Sequence, residues 1–276
     1  MKLMKTNWIW IVALLAISCS TETVRVSDEV SSRTYDFNDI NALEVATDFK
    51  AYISFSDAEQ SIRIEANSNL FDKIDVFENN GKLTVKVKNN INIRGKETLN
   101  LFINTKSITE FKASSDASIF LDTPLNANSA SIQLSSDANF DGDITVNDFE
   151  LTASSDSRAI LFLDAKNANM EFSSSAELDG EVTIDEADVT LSSDSEMDVT
   201  GSVTELTATL SSDSTIKDYA LEVEDLKITL SSDSEGYLTV SNTIDVTANS
   251  DSKLFYKGDA EIVQQNLSSD GEVIKK

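Results

Sequence analysis

Eight aspartates recur along the chain, each preceded by serine: Asp116, Asp137, Asp156, Asp194, Asp213, Asp233, Asp251 and Asp270, with Ser175 in the register of a ninth. Carboxylates repeated in this way could do three kinds of chemistry. They could share Ca²⁺, which takes several oxygen ligands; Asp194, Asp213 and Asp233, in consecutive repeats, are then the candidate ligands. Two of them could work as the acid and base that cut a glycosidic bond. Almost every repeat carries the same aspartate, however, so no pair is singled out and no catalytic residue is assigned. Arg158, the only arginine after Arg94, is expected to offset the nearby Asp156. The third role is a solvated corner, where water and salt screen the mutual repulsion. The glycine- and aspartate-patterned nonapeptide of calcium-binding solenoids does not match. The expectation is a protein without enzymatic activity or cofactor, Ca²⁺ being the one ion the pattern could take.

Hydroxyls form a second repeated set, at four and two residues before the aspartate: Thr190 and Ser192, Thr209 and Ser211, Thr229 and Ser231. If these point outward they make a flat array that could meet a glycan or a protein, and these six are the candidate ligand face. The plain alternative is the soluble surface of a structural spacer in the cell envelope. Ice binding needs a regularity that the serines and the missing repeats spoil.

Absent residue types narrow the chemistry further. The chain has no histidine and a single cysteine, Cys19. Imidazole and thiol nucleophile schemes, haem ligation and the usual zinc sites are thereby removed, as is an intrachain disulfide. A formal charge of −26 repels nucleic acid and favours cations and basic partners. At the start, Lys2 and Lys5 precede an apolar run from Trp8 to Ile17, too short to span a bilayer permanently. The run ends in Ala16-Ile17-Ser18-Cys19, which resembles a bacterial lipobox. The resemblance implies a signal peptide over 1–18 and a lipidated Cys19 that ties the chain to a membrane. Ser20, rather than Asp, follows, as in lipoproteins sorted to an outer membrane, so an exported, periplasmic or surface-exposed lipoprotein is expected.

The elements that must position these residues follow from the spacing. Successive aspartate positions are 21, 19, 19, 19, 19, 20, 18 and 19 residues apart. A period near 19 suits one turn of a three-sided β-solenoid. Relative to the aspartate, apolar residues recur five before (Leu151, Val189, Ile228), three before (Leu191, Leu210, Leu230) and three after (Leu178, Met197, Ile216). Strand alternation then predicts that the serine one before, Ser193 or Ser212, also faces the interior and must find a hydrogen-bond partner. The threonines and serines four and two before point outward. Regular coils are expected over 111–276, after an irregular N-terminal β region or cap over 35–110 with a turn at Asn79-Asn80-Gly81. Residues 19–34, polar and aperiodic, read as a tether. Residues 35–276 form one continuous domain.

With these residues in place the chain resembles a known family. Tyr35-Asp36-Phe37-Asn38-Asp39-Ile40 is followed by Asp48-Phe49-Lys50-Ala51-Tyr52-Ile53, by the turn before Leu83-Thr84-Val85 and by serine-rich corners. This order is similar to the autotransporter-adhesin head GIN domain of exported Bacteroidota proteins, over residues 35–260. The resemblance implies a right-handed parallel β-helix. The family's corner is often Gly-Ser-Gly; here it is Ser-Ser-Asp, which makes it more acidic. The expected function is a cell-surface or periplasm-facing adhesin module that binds glycan or protein.

Overall fold

The computed structural model describes residues 21–57 and 60–276. Strand accounts for 69% and helix for 2%, arranged as a β-solenoid of about nine turns of about 19 residues. The middle shows the construction most plainly. Asn139–Ser154, Arg158–Ser173, Glu177–Ser192 and Glu196–Ser211 are strands of 16 residues. Each pairs in parallel with the next, Asn139 on Arg158, Arg158 on Glu177 and Glu177 on Glu196. Each residue therefore lies against its counterpart one coil on, and coil length must stay nearly constant for backbone bonds to register.

Alternation puts one apolar set inside. In Glu177–Ser192 the buried side chains are Leu178, Val182, Ile184, Ala187, Val189 and Leu191. The parity breaks between Ile184 and Ala187, where Asp185 and Glu186 are both exposed, and a bend lies there. At Ser-Ser-Asp the alternation is interrupted at one position, and burial resumes in the same phase beyond it. Ser193 and Asp194 are both left-handed, with φ of 55° and 63°, and the same pair of angles recurs in all nine corners. Two consecutive left-handed residues turn the chain and restart the alternation beyond the turn.

That geometry corrects the predicted interior serine. Ser193 and Ser212 are exposed. The buried hydroxyl belongs to the residue after the aspartate: Ser157, Ser195, Ser214, Ser234 and Ser252 are all 0% exposed. Alternation had been carried through a corner where it does not run. The left-handed conformation costs an L-residue about 1–2 kcal/mol. Backbone bonds between corners offset it: the Asp194 N–H donates to the Ser212 carbonyl at 3.0 Å and the Asp213 N–H to the Ser232 carbonyl at 3.0 Å.

The N-terminal region folds around one further coil. Ala42–Ala46 and Lys50–Phe55 flank a corner at Thr47-Asp48, with φ of 62° and 60°. The Asp48 N–H donates to the Ser115 carbonyl at 3.1 Å, so this corner stacks on the repeated column. Residues 61–105 then leave the coil path. Ile74–Asn79 and Lys82–Val87 make a hairpin around Asn80-Gly81, whose positive φ values of 53° and 81° suit a two-residue turn. Lys82–Val87 and Leu99–Thr105 lie parallel to the first coil on its outer side, and Ser61–Asn67 runs antiparallel to Leu99–Thr105.

Part of the expected tether is folded. Glu22–Arg25 pairs with Ile91–Arg94, and Val30–Tyr35 pairs antiparallel with Ser61–Asn67. Their largely polar side chains gave no periodic signal, because backbone pairing rather than burial holds them. The signal peptide and Cys19 lie outside the described residues. Among the described residues no helix is long and apolar enough to cross a membrane.

Candidate functional site

The stretch of coil before each corner carries the hydroxyl face. Thr190 pairs in register with Thr209, Thr209 with Thr229 and Thr229 with Thr247. Thr190, Thr209 and Thr229 are exposed. Adjacent coils are about 4.8 Å apart, so four threonine hydroxyls form a straight row across four coils. Glu171 interrupts the row on the N-terminal side, before Thr152. Ser192, Ser211 and Ser231 align as a second row but are half-buried. Their backbones belong to the corner: the Ser211 N–H donates to Ser214 Oγ at 3.0 Å, and Ser214 Oγ donates to the Leu191 carbonyl at 3.0 Å. Ser195 and Ser234 repeat the arrangement. The structure thus assembles all six candidate residues on one face, with the threonines as its free outer row.

The aspartates stand on the adjoining edge. Asp194, Asp213 and Asp233 are exposed, one coil apart, with their N–H groups engaged in the corner ladder. Among the described residues, no three acidic or thiol side chains converge as a metal cluster would require. Burial, followed by the charges of Asp116 and Glu97, pushes the Asp48 carboxyl above its usual range.

Arg158 does not reach for Asp156. Its Nε lies 2.9 Å from Asp179 Oδ2, and a terminal nitrogen 3.4 Å from Glu177 Oε2. Parallel stacking sets Arg158 directly over Glu177, so the neighbour one coil on outranks the neighbour in sequence. The three side chains are partly exposed, Asp179 least so, and such ion pairs contribute little to stability.

The stretch after the corner holds a feature that reading along the sequence did not find. Four residues after the corner, Tyr52 stacks between Phe102 and Phe120 with both centroid distances at 5.3 Å. In the C-terminal coils Tyr237 stacks on Phe255 at 4.7 Å and meets Tyr219 edge-on at 5.5 Å. The Tyr237 hydroxyl donates to Glu235 at 2.6 Å, and this bond pushes its pKa up to about 12. These rings are half-buried and partnered by each other, and they serve to hold coils in register. The signal was present as aromatics recurring four residues after the corner at Tyr52, Phe120, Tyr237 and Phe255.

Solved structures share this architecture. A crystal structure of a putative adhesin from Parabacteroides merdae aligns with a TM-score of 0.72 at 17% identity, covering 93% of this chain and 100% of that one. One of a putative adhesin from Parabacteroides distasonis gives 0.67 at 16% identity, covering 92% and 100%. A putative lipid binding protein from the same species gives 0.63 at 17% identity, with the same coverage. At such identities they establish a common fold alone. No curated protein matches the sequence. The family model described as "Putative auto-transporter adhesin, head GIN domain" matches residues 39–181 and 162–260, and the chain belongs to that family.

Proposed function

We propose that the protein is a non-catalytic adhesin module, exported and tied to the outer membrane through a lipid on Cys19, which binds an extended glycan or protein along its threonine face. One observation carries this reading. Thr190, Thr209, Thr229 and Thr247 repeat the same outward hydroxyl at the same spacing on consecutive coils. A ligand that is itself extended can meet several coils at once, and weak contacts then act together through effective concentration. The interior supports a ligand on the outer surface, because a continuous apolar cluster from Ile40 to Ala260 fills it. The family places the protein among adhesin-like chains. Carboxylates recur coil after coil, which suits a surface more than a reaction centre.

Screening the purified protein against immobilised glycans and cell-surface proteins tests the binding. Saturable binding that weakens when Thr209 and Thr229 become alanine supports the reading. Absence of any saturable ligand would favour the spacer role, and turnover of a polysaccharide would overturn the non-catalytic one. The anchor is tested separately: Cys19→Ala should release the protein from the membrane fraction or leave its precursor uncut.

A further inference from the structure

Phe162 is 55% exposed, and packing does not explain it. It lies before the bend at Lys166-Asn167, on a different stretch of coil from the threonine row. The other outward aromatics of the coils are covered by rings: Tyr52 by Phe102 and Phe120, Tyr237 by Tyr219 and Phe255. Phe162 has no ring contact of this kind and no cation above it among the described residues.

Its surroundings are acidic. In register, Asp143 lies one coil to one side and Glu181 one coil to the other. Asp164 stands two residues on along the same strand. These three carboxylates and Phe162, with Pro124 and Thr183, line a surface depression of about 360 Å³. None of the three carboxylates makes an ion pair among the described residues, unlike Glu177 and Asp179 nearby, which Arg158 engages. An open ring is therefore bordered by three uncompensated negative charges.

We propose that this depression is a docking surface for an arginine-bearing segment of a partner protein. A guanidinium is planar, so it can lie against the Phe162 ring while its N–H groups reach the flanking carboxylates in pairs. An ammonium has the charge without the plane. The formal charge of −26 on the whole chain adds steering toward a basic partner. Charge complementarity thus acts at both scales. The surface is separate from the threonine row and does not depend on ligand binding there.

The test uses the purified protein and a hexa-arginine peptide, with hexa-lysine and tetramethylammonium as competitors. Titration followed by NMR shifts of Phe162 and its neighbours should show saturable binding, tighter for arginine than for lysine. Phe162→Ala should weaken it about tenfold, and Asp164→Asn with Glu181→Gln at least as much. A charge-matched control, Asp194→Asn with Asp213→Asn on the corner edge, should change affinity less than twofold at physiological salt. Equal losses in the two charge pairs would mean diffuse attraction and would overturn the site. Equal affinity for hexa-lysine, full competition by tetramethylammonium, or undiminished binding by Phe162→Ala would overturn it too. Loss of binding to the threonine face by its own variants leaves these outcomes unchanged.

Discussion

The same substitution should have opposite consequences at two positions of one buried column. Ser214 Oγ accepts from the Ser211 N–H and donates to the Leu191 carbonyl, both at 3.0 Å, and its residue is 0% exposed. Replacing it with alanine removes two intramolecular bonds, each worth about 0.5–1.5 kcal/mol net, so a loss of about 1–3 kcal/mol is expected. Ser157 occupies the equivalent place in an earlier coil and is also 0% exposed, yet its Oγ has no hydrogen-bond partner among the described residues. Ser157→Ala removes a desolvated, unpaired hydroxyl and should leave stability unchanged or raise it by up to about 1 kcal/mol. Alanine fits the column, for it already stands there as Ala117, Ala138 and Ala176, each 0% exposed. For a domain of this size about 2–4 °C of melting shift accompanies each kcal/mol, which separates the two variants in a thermal scan. Solenoids unfold in nearest-neighbour units, so amide exchange of Ser211 gives the local readout: its protection should fall in Ser214→Ala and stay unchanged in Ser157→Ala. Equal melting shifts with equal exchange would refute the reasoning, since packing alone would then set the column.

Three further outcomes follow from the corners and from one strand glycine. Asp48→Asn should stabilise the protein at neutral pH. The folded state raises this carboxyl's pKa, so ionised Asp48 costs stability above that pKa, and the cost fades as pH falls through it; the advantage of the variant in urea denaturation should shrink to nothing on acidification. Ser193→Gly should gain about 0.5–1 kcal/mol and Ser193→Val should lose more than that, because Ser193 holds a φ of 55° that glycine adopts freely; a matched pair of melting curves decides it. Gly180→Ala should be among the most damaging single changes, by about 3 kcal/mol or more, since its φ is 129° and an added Cβ would sit 1.9 Å from the Leu161 carbonyl oxygen; unfolding no easier than wild type would mean that the strand relaxes around it.

The period was legible because it is a physical necessity: coils that pair residue on residue must be nearly equal in length, and like residues then stack. The apolar positions five and three before the aspartate were legible for the same reason. Ser193 was misplaced because the two left-handed residues turn that one position outward, while burial resumes in the same phase at Ser195 and Met197. The corner at Thr47-Asp48 escaped notice because residues 61–105 separate it from its neighbour Ser115. The strand Val30–Tyr35 escaped because its pairing is with backbone, and Arg158 was given the wrong acid because a coil's neighbour lies across the stack. Phe162 shows the same limit. Nothing along residues 158–164 marks it, and its meaning comes from Asp143 and Glu181 on either side. The threonine face was found in the sequence because its residues repeat in the period itself.

The most direct test of the account is a stepwise affinity series on the threonine row. Thr190→Ala, Thr209→Ala and Thr229→Ala would be made singly, in pairs and all together, and binding of the purified proteins to the same extended ligand measured. Contacts repeated on successive coils predict that each added substitution weakens binding by a similar factor, whichever coil it falls on. Complete loss from one substitution with no effect from the other two would contradict the claim, because it would place recognition in a single pocket.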